Sequence, residues 1–102
     1  MKKGIITYDI SSTKERNKIA KLLSAYGKRI QYSVFEFELP NNIYEELFQK
    51  ITNIANDFKG KKLIKSDLTY SIRIYFLCDS CLKKSYIFED KKYKYEIEGN
   101  IY

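Results

Sequence analysis

The sequence contains no histidine, and this absence removes several kinds of catalytic and metal-binding site. A Ser-His-Asp or Cys-His nucleophilic site and a histidine metal ligand are all excluded. Acid–base chemistry near neutral pH would need an Asp, Glu, Lys or Tyr with a shifted pKa. If the chain is an enzyme, we therefore expect a carboxylate that holds a hard cation such as Mg²⁺.

Cysteine and proline are also scarce, and long apolar runs are missing. Cys78 and Cys81 form a single Cys-x-x-Cys pair, whereas a structural zinc site needs four ligands, so we expect inert thiols. No stretch approaches the roughly 20 apolar residues that span a bilayer. The N-terminus is too short and too soon acidic for a signal peptide. We therefore expect a cytoplasmic protein that does not contact a membrane.

What the chain does contain fits one globular domain with a basic surface. Its 102 residues are 44% hydrophobic and 31% charged, which excludes disordered and low-complexity classes. Lys+Arg 19 against Asp+Glu 13 gives a net charge of +6, and this balance favours a polyanionic partner. The lysines within 59–65 and 83–94 are either solubilising charge or a stripe that follows a duplex backbone, and both interpretations remain open.

The first third of the chain predicts a strand followed by a helix. Residues 4–10 are apolar on both parities, which predicts a central strand buried on both faces, with Asp9 near its C-terminal end. Ser12 and Glu15 have the spacing of a capping box, which starts a helix. Gly27 is expected to end that helix as its C-cap.

The segment 29–39 is extended but changes parity. Ile30 and Val34 share one face, whereas Phe35 and Phe37 share the other, so a single flat strand cannot keep both sets in one core. Either a bulge or bend falls near residues 33–34, or one set faces a partner subunit.

The remaining elements complete an α+β sandwich. Asn42 and Glu45 form a second capping box, and an apolar stripe continues to Phe58. Alternating patterns predict strands at 71–77, 85–89 and 93–98. The order β-α-β(β)-α-β plus C-terminal strands indicates helices on one face of a largely antiparallel sheet.

Helices on one face leave the second face of the sheet without cover. Phe35, Phe37, Tyr75 and the tyrosine-rich C-terminal segment are the apolar groups that we expect there. A homodimer in which two sheets pack face to face would cover them.

Three segments together resemble the Cas2 family of small CRISPR-associated adaptation proteins. The resemblance runs through most of residues 1–88, in order and at family-like spacing. The segments are Tyr8-Asp9-Ile10-Ser11 with Lys14–Arg16 and Asn17, Arg29-Ile30-Gln31-Tyr32-Ser33-Val34-Phe35-Glu36, and Ser71-Ile72-Arg73-Ile74-Tyr75-Phe76-Leu77-Cys78.

The resemblance implies a ferredoxin-like β-α-β-β-α-β domain at residues 1–90, and the alternating pattern adds a C-terminal strand in a tail that is longer than the common family pattern. Residues 91–102 would be a tail for dimer or partner contact. It also implies a homodimer that bridges CRISPR integrase dimers during spacer acquisition and binds duplex DNA. Family members look like Mg²⁺-dependent endonucleases on single-stranded RNA or double-stranded DNA in some cases.

Carried over residue by residue, the resemblance gives Asp9 the role of metal ligand, with one Mg²⁺ per dimer shared by Asp9 of both subunits. Tyr8 would be the catalytic neighbour of Asp9. The supporting nucleic-acid positions would be Arg16, Lys18, Arg29 and Phe35, with Lys18 standing where some members carry Arg.

Each of these features also has a simpler interpretation. Asp9 could accept hydrogen bonds from Ser11 or Ser12 in an Asx-type turn, and Arg16 and Arg29 could be surface charges. The alternative function is then a non-catalytic, basic ferredoxin-like module that binds nucleic acid.

Overall fold

Two helices pack on one face of a five-stranded antiparallel sheet in the computed structural model, which describes residues 1–77 and 86–89. The strand order in this part of the chain is β2-β3-β1-β4-β5. This confirms the predicted α+β, ferredoxin-like arrangement with an additional strand at the edge. The elements are β1 (Lys2–Ile10), α1 (Thr13–Ser24), β2 (Lys28–Gln31), β3 (Val34–Leu39), α2 (Asn41–Lys62), β4 (Tyr70–Phe76) and β5 (Tyr86–Glu89).

The central strand β1 has one covered face and one open face. Ile6, Tyr8 and Ile10 are buried beneath the helices, whereas Ile5 is half-buried and Asp9 is exposed. The prediction of a central strand is confirmed, since β1 pairs with both β3 and β4. Burial on both faces is not seen in the single chain, because both helices lie on the same side.

The parity change in 29–39 marks a hairpin rather than one bent strand. The chain reverses at Tyr32 and Ser33 between β2 and β3, and the pairing register shifts between Arg29 and Gln31. Phe35 and Phe37 are buried in the helix-side core. Our expectation that these two phenylalanines lie on the uncovered face was wrong, because the turn, not a partner, accounts for the change of parity.

Both helices begin near the predicted residues, but without the predicted capping boxes. Ser12 is at the N-cap of α1 and makes no side-chain cap hydrogen bond, and α2 begins after Pro40 without one. Glu15 does not reach back to the N-cap. It is buried and its Oε2 accepts a 2.8 Å hydrogen bond from Lys61 Nζ, which joins α1 to the last turn of α2. The predicted start of α1 was correct, but Glu15 contacts Lys61 in α2 instead of making the predicted capping contact at Ser12.

Gly27 is needed for a close approach and not as a helix cap. Helix α1 ends at Ser24 with Ala25 at its C-cap, and the Gly27 backbone is outside the left-handed region. A Cβ atom on Gly27 would collide with the backbone carbonyl oxygen of Glu36 in β3. The small residue therefore allows the chain after α1 to lie directly against β3.

An ion network of four residues links the two helices. Lys61 Nζ lies 2.8 Å from Glu15 and 3.3 Å from Asp57, and Lys18 Nζ lies 3.7 and 3.4 Å from the same two carboxylates. The hydrogen bond from Lys61 lowers the pKa of the Glu15 carboxyl below its ordinary value. The same contact raises the pKa of Lys61.

Three predictions fall outside the described residues. These are the strand at 93–98, the tail at 91–102 and the Cys78/Cys81 pair. Across residues 1–77 and 86–89, no helix has the length and apolarity to cross a membrane.

Replacing Gly27 with alanine should destabilise the fold. The added methyl group meets backbone, which must shift, and we expect the free energy of unfolding to fall by about 1–3 kcal/mol. The matched control is Gly60→Ala, because a Cβ there has nothing within 4 Å. In helix α2 that change should be neutral or stabilising by up to ~1 kcal/mol. Urea unfolding at one fixed protein concentration measures both, and equal effects would contradict the close-approach explanation.

Replacing Lys61 with methionine should make the fold less stable at neutral pH but not in acid. The buried Glu15 carboxylate would lose its closest donor, at a cost of about 1–3 kcal/mol at pH 7. Because the pKa of Glu15 is lowered in the folded state, this stabilisation is present above its unfolded-state pKa and is lost as the pH falls through its folded-state value.

The free energies of unfolding of wild type and Lys61→Met should therefore become equal as the pH falls from 7 to 3. Lys59→Met, which removes an exposed lysine from the same end of α2, is the control and should follow wild type at every pH. A Lys61→Met deficit that is constant with pH would show that packing, and not the ion pair, is responsible.

Candidate functional site

Asp9 lies in an open depression on the face of the sheet that the helices do not cover. Its side chain is exposed, and strand pairing places it opposite Ser71. The pair of Thr7 and Arg73 lies two residues further along the two strands, on the same face. The depression has a volume of about 420 Å³. Its lining residues are Thr7, Tyr8, Asp9, Ser71, Arg73 and Tyr75.

The depression combines oxygen ligands with one guanidinium. The Asp9 carboxylate and the hydroxyls of Thr7 and Ser71 are oxygen groups of the kind that hard cations prefer. The Arg73 guanidinium, whose Nη1 lies 3.5 Å from the Tyr75 hydroxyl, is a group that matches phosphate oxygens. Within the described residues, no three His, Cys, Asp or Glu side chains lie close enough to hold a metal ion. One chain thus offers part of a cation site, with a single carboxylate.

Arg73 was missed by the sequence analysis as a site residue. There it was only a polar residue alternating with apolar ones in the strand now seen as β4. Its relation to Asp9 depends on the antiparallel register of β1 and β4, which pairs Arg73 with Thr7. The available signal was the alternation along β4. Arg73 alternates with the apolar residues that face the helices, which predicts that its side chain lies on the open face.

Tyr8 precedes Asp9 but points to the opposite side of the sheet. Its ring is 4% exposed and stacks on Phe35, with the ring centroids 6.3 Å apart. The Tyr8 hydroxyl donates to the Tyr32 carbonyl at 3.2 Å and accepts from Arg29 Nη2 at 3.2 Å. The side chains of Tyr8 and Asp9 therefore do not meet on one face.

Arg29 holds the β2–β3 hairpin against β1. Its Nε and Nη2 donate to the Tyr32 carbonyl at 3.2 and 2.9 Å, and its guanidinium lies 5.3 Å from the centroid of the Phe35 ring. Three predicted residues, Tyr8, Arg29 and Phe35, are thus brought together on the helix side of the sheet.

Arg16 holds the loop that follows Asp9. Its Nη1 donates to the Ile10 carbonyl at 2.8 Å and its Nη2 to the Thr13 hydroxyl at 2.8 Å. The Asx-type turn is not seen, because the Asp9 carboxylate accepts no side-chain or loop hydrogen bond from Ser11 or Ser12 within the described part of the chain. Instead, Ser11 Oγ accepts from the Thr69 backbone N–H at 2.9 Å.

Lys18 lies apart from the other predicted residues. It is on the helix layer, in the network with Glu15 and Asp57, whereas the Asp9 carboxylate is on the open face. The predicted residues therefore lie in separate places. Tyr8 and Phe35 are buried with the exposed Arg29 against them, Asp9 is in the open depression, Arg16 is at the loop next to it, and Lys18 is on the helix layer.

Comparison with known sequences identifies relatives along most of the chain. The family model for "CRISPR associated protein Cas2" matches residues 1–85. A "CRISPR-associated endoribonuclease Cas2 1" from Chloroflexus aurantiacus is 42% identical over 86 residues, which are 84% of this chain and 83% of the relative. A "CRISPR-associated endoribonuclease Cas2 2" from Methanospirillum hungatei is 42% identical over 81 residues, covering 78% of each.

Solved structures also share the fold. A hypothetical protein, TT1823 from Thermus thermophilus, superposes with a TM-score of 0.59 at 30% identity, over 76% of this chain and 82% of its own. A chain of a structure described as a partial Cas6-RT-Cas1–Cas2 complex gives a TM-score of 0.57 at 30% identity, over 98% and 88% of the two chains. Matched by its family model along most of its length, the chain belongs to the CRISPR-associated Cas2 family.

Proposed function

We propose that this Cas2-family chain acts in CRISPR spacer acquisition as a homodimer. The dimer would bind the backbone of duplex DNA, bridge CRISPR integrase dimers, and cleave phosphodiester bonds in RNA or DNA with Mg²⁺. The observation that carries the proposal is the exposed Asp9 carboxylate on the uncovered face of the sheet. The names of the relatives, which are endoribonucleases, and of the Cas1–Cas2 complex support it.

The uncovered face supports a homodimer. Ile5, Val34 and Tyr75 are half-buried there, so the face has apolar surface that a second copy would cover. A two-fold axis through this face near Asp9 would bring two Asp9 carboxylates together. This would add a second carboxylate to the one that lines the described depression.

The oxygen groups around Asp9 fit a shared magnesium site. The two Asp9 carboxylates would hold one ion per dimer, and waters would complete its coordination. Bound there, Mg²⁺ would offset the charge of the phosphate and make a water more acidic. Arg73, in the same depression, would bind phosphate oxygens and orient the backbone.

The other residues would position this site rather than react. Tyr8, Arg29 and Phe35 fix the end of β1 through the contacts between the hairpin and the core. Arg16 fixes the loop after Asp9 through its hydrogen bonds to the Ile10 carbonyl and the Thr13 hydroxyl. Lys18 would contribute positive charge at longer range.

A non-catalytic nucleic-acid-binding module is the second candidate. It is favoured by the internal contacts of Arg16, Arg29 and Lys18, which use their polar groups within the chain. It is also favoured by the single carboxylate in the described depression. In this case the chain would bind nucleic acid without hydrolysis and would form no complex with the integrase.

Replacing Asp9 with asparagine should abolish magnesium-dependent cleavage. The change removes the charge that holds the cation and keeps the shape. A bound metal ion supplies several kcal/mol of transition-state stabilisation, so we expect the cleavage rate to fall at least ~100-fold. End-labelled single-stranded RNA and duplex DNA, each in Mg²⁺ and in EDTA, measure cleavage. Light scattering on the same samples should show an unchanged dimer.

The matched control is Glu38→Gln, which removes a carboxylate near the opposite end of β3, opposite Lys3. It should cleave as wild type does. The proposed nuclease activity would be contradicted if wild type cut neither substrate. It would also be contradicted if the Asp9→Asn variant cut as well as wild type. If DNA and integrase binding persisted, the dimer would act as a scaffold without hydrolysis, whereas nucleic-acid binding alone would favour the non-catalytic module.

Ending the chain after Asp90 should weaken integrase binding without changing nuclease activity. Tyr93, Tyr95 and Ile97 alternate with charged residues, a pattern that can add a strand to the edge of a partner's sheet. We expect at least a 10-fold loss of affinity for the cognate integrase by light scattering or calorimetry. Binding at full strength would show that the contact lies within residues 1–90.

A further inference from the structure

Tyr32, in the turn of the β2–β3 hairpin, has an exposed aromatic ring and a tightly held backbone. We propose that the ring of Tyr32 is a stacking platform for an unpaired base of the nucleic acid, a contact that rests on the nucleic-acid binding proposed above. The ligand class is thus a single-stranded nucleotide rather than a paired one.

The backbone at Tyr32 is fixed by three hydrogen bonds to one carbonyl. Tyr8 Oη donates to the Tyr32 oxygen at 3.2 Å, and Arg29 donates from Nε at 3.2 Å and from Nη2 at 2.9 Å. A carbonyl has two lone pairs, so three donors make it an unusually crowded acceptor. The hairpin therefore holds this residue in place before any ligand binds, which reduces the entropy lost on binding.

The ring itself remains open. Tyr32 is 70% exposed, although the Arg29 guanidinium lies 5.6 Å from its ring centroid. The guanidinium lies 5.3 Å from the Phe35 ring as well, so Arg29 is fixed by two rings, the Tyr32 carbonyl and the Tyr8 hydroxyl. An exposed ring with a cation nearby fits a planar, electron-rich ligand next to an anion, and a nucleotide has both.

The platform lies at the end of the sheet that carries Asp9. The Tyr8 backbone N–H donates to the Ser33 carbonyl at 3.1 Å, and Thr7 pairs with Val34. The hairpin turn is therefore joined to the last residues of β1. A base on Tyr32 would fix the register of a single strand whose phosphates continue around this end of the sheet.

The salt dependence of binding separates stacking from charge. Stacking removes no counterions, whereas phosphate contacts do. Tyr32→Ala should bind a labelled 12-nucleotide single strand, of RNA or of DNA, about 5- to 100-fold more weakly than wild type, with the slope of log K against log salt unchanged. Tyr32→Phe should stay within about 2-fold of wild type, because the ring is kept. Anisotropy at four salt concentrations measures affinity and slope together.

Two controls make the result specific. Ile30→Ala removes a neighbouring side chain that is 47% exposed but has no ring, and should leave binding unchanged. A blunt duplex of the same length offers no unpaired base, and its affinity should be the same for wild type and Tyr32→Ala.

Three results would overturn the platform. Equal single-strand affinity of wild type and Tyr32→Ala overturns it and leaves the proposed function intact. Tyr32 has another role if the Tyr32→Ala variant loses affinity equally for the duplex. The same holds if light scattering shows that the Tyr32→Ala dimer dissociates. Wild type that binds neither strand form contradicts the proposed function and the platform with it.

Discussion

The alternation of side chains along β1 is the constraint on which the rest of the structure depends. Successive residues of a strand point to opposite faces, so Tyr8 and Asp9 cannot share an environment. Tyr8 belongs to the core and the hairpin contacts, whereas Asp9 belongs to the open face. The strand thereby places an exposed carboxylate on a segment whose other face is closely packed, and core packing determines where that carboxylate lies.

Two arginines fix the backbone on either side of this carboxylate. Arg16 donates to the Ile10 carbonyl immediately after Asp9, and Arg29 donates to the Tyr32 carbonyl at the neighbouring hairpin turn. A planar guanidinium can serve several acceptors at once, which suits carbonyls at strand ends that lack a partner in the sheet. Conversion of either arginine to lysine would keep the charge but lose this geometry, so charge alone does not describe these residues.

Periodicity predicted the elements from the sequence, but not the contacts between distant segments. The apolar patterns located β1, β4 and both helices, and the apolar strand around Asp9 marked it as a candidate. They did not distinguish a hairpin from a bend in 29–39, since a turn and a bulge both change parity. The pairing of Glu15 with Lys61 joins residues 46 positions apart, and the place of Arg73 beside Asp9 depends on strand register. Such facts come from tertiary packing, which overrides the local capping signal at Ser12.

The chain is basic, but its proposed cleavage site carries a carboxylate. Nucleic-acid binding and cleavage should therefore depend on different ions. The net charge of +6 attracts a polyanion at long range, and added monovalent salt weakens that attraction everywhere on the surface. The Asp9 carboxylate has the opposite sign, and two such carboxylates brought together in a dimer would repel a phosphate that the Arg73 guanidinium in the same depression attracts. A divalent cation held between the two carboxylates would offset their repulsion and would bind the phosphate directly. Binding should therefore depend mainly on monovalent salt and persist in EDTA, whereas cleavage depends on the divalent ion. In the proposed dimer, holding DNA for an integrase would therefore not require cleavage.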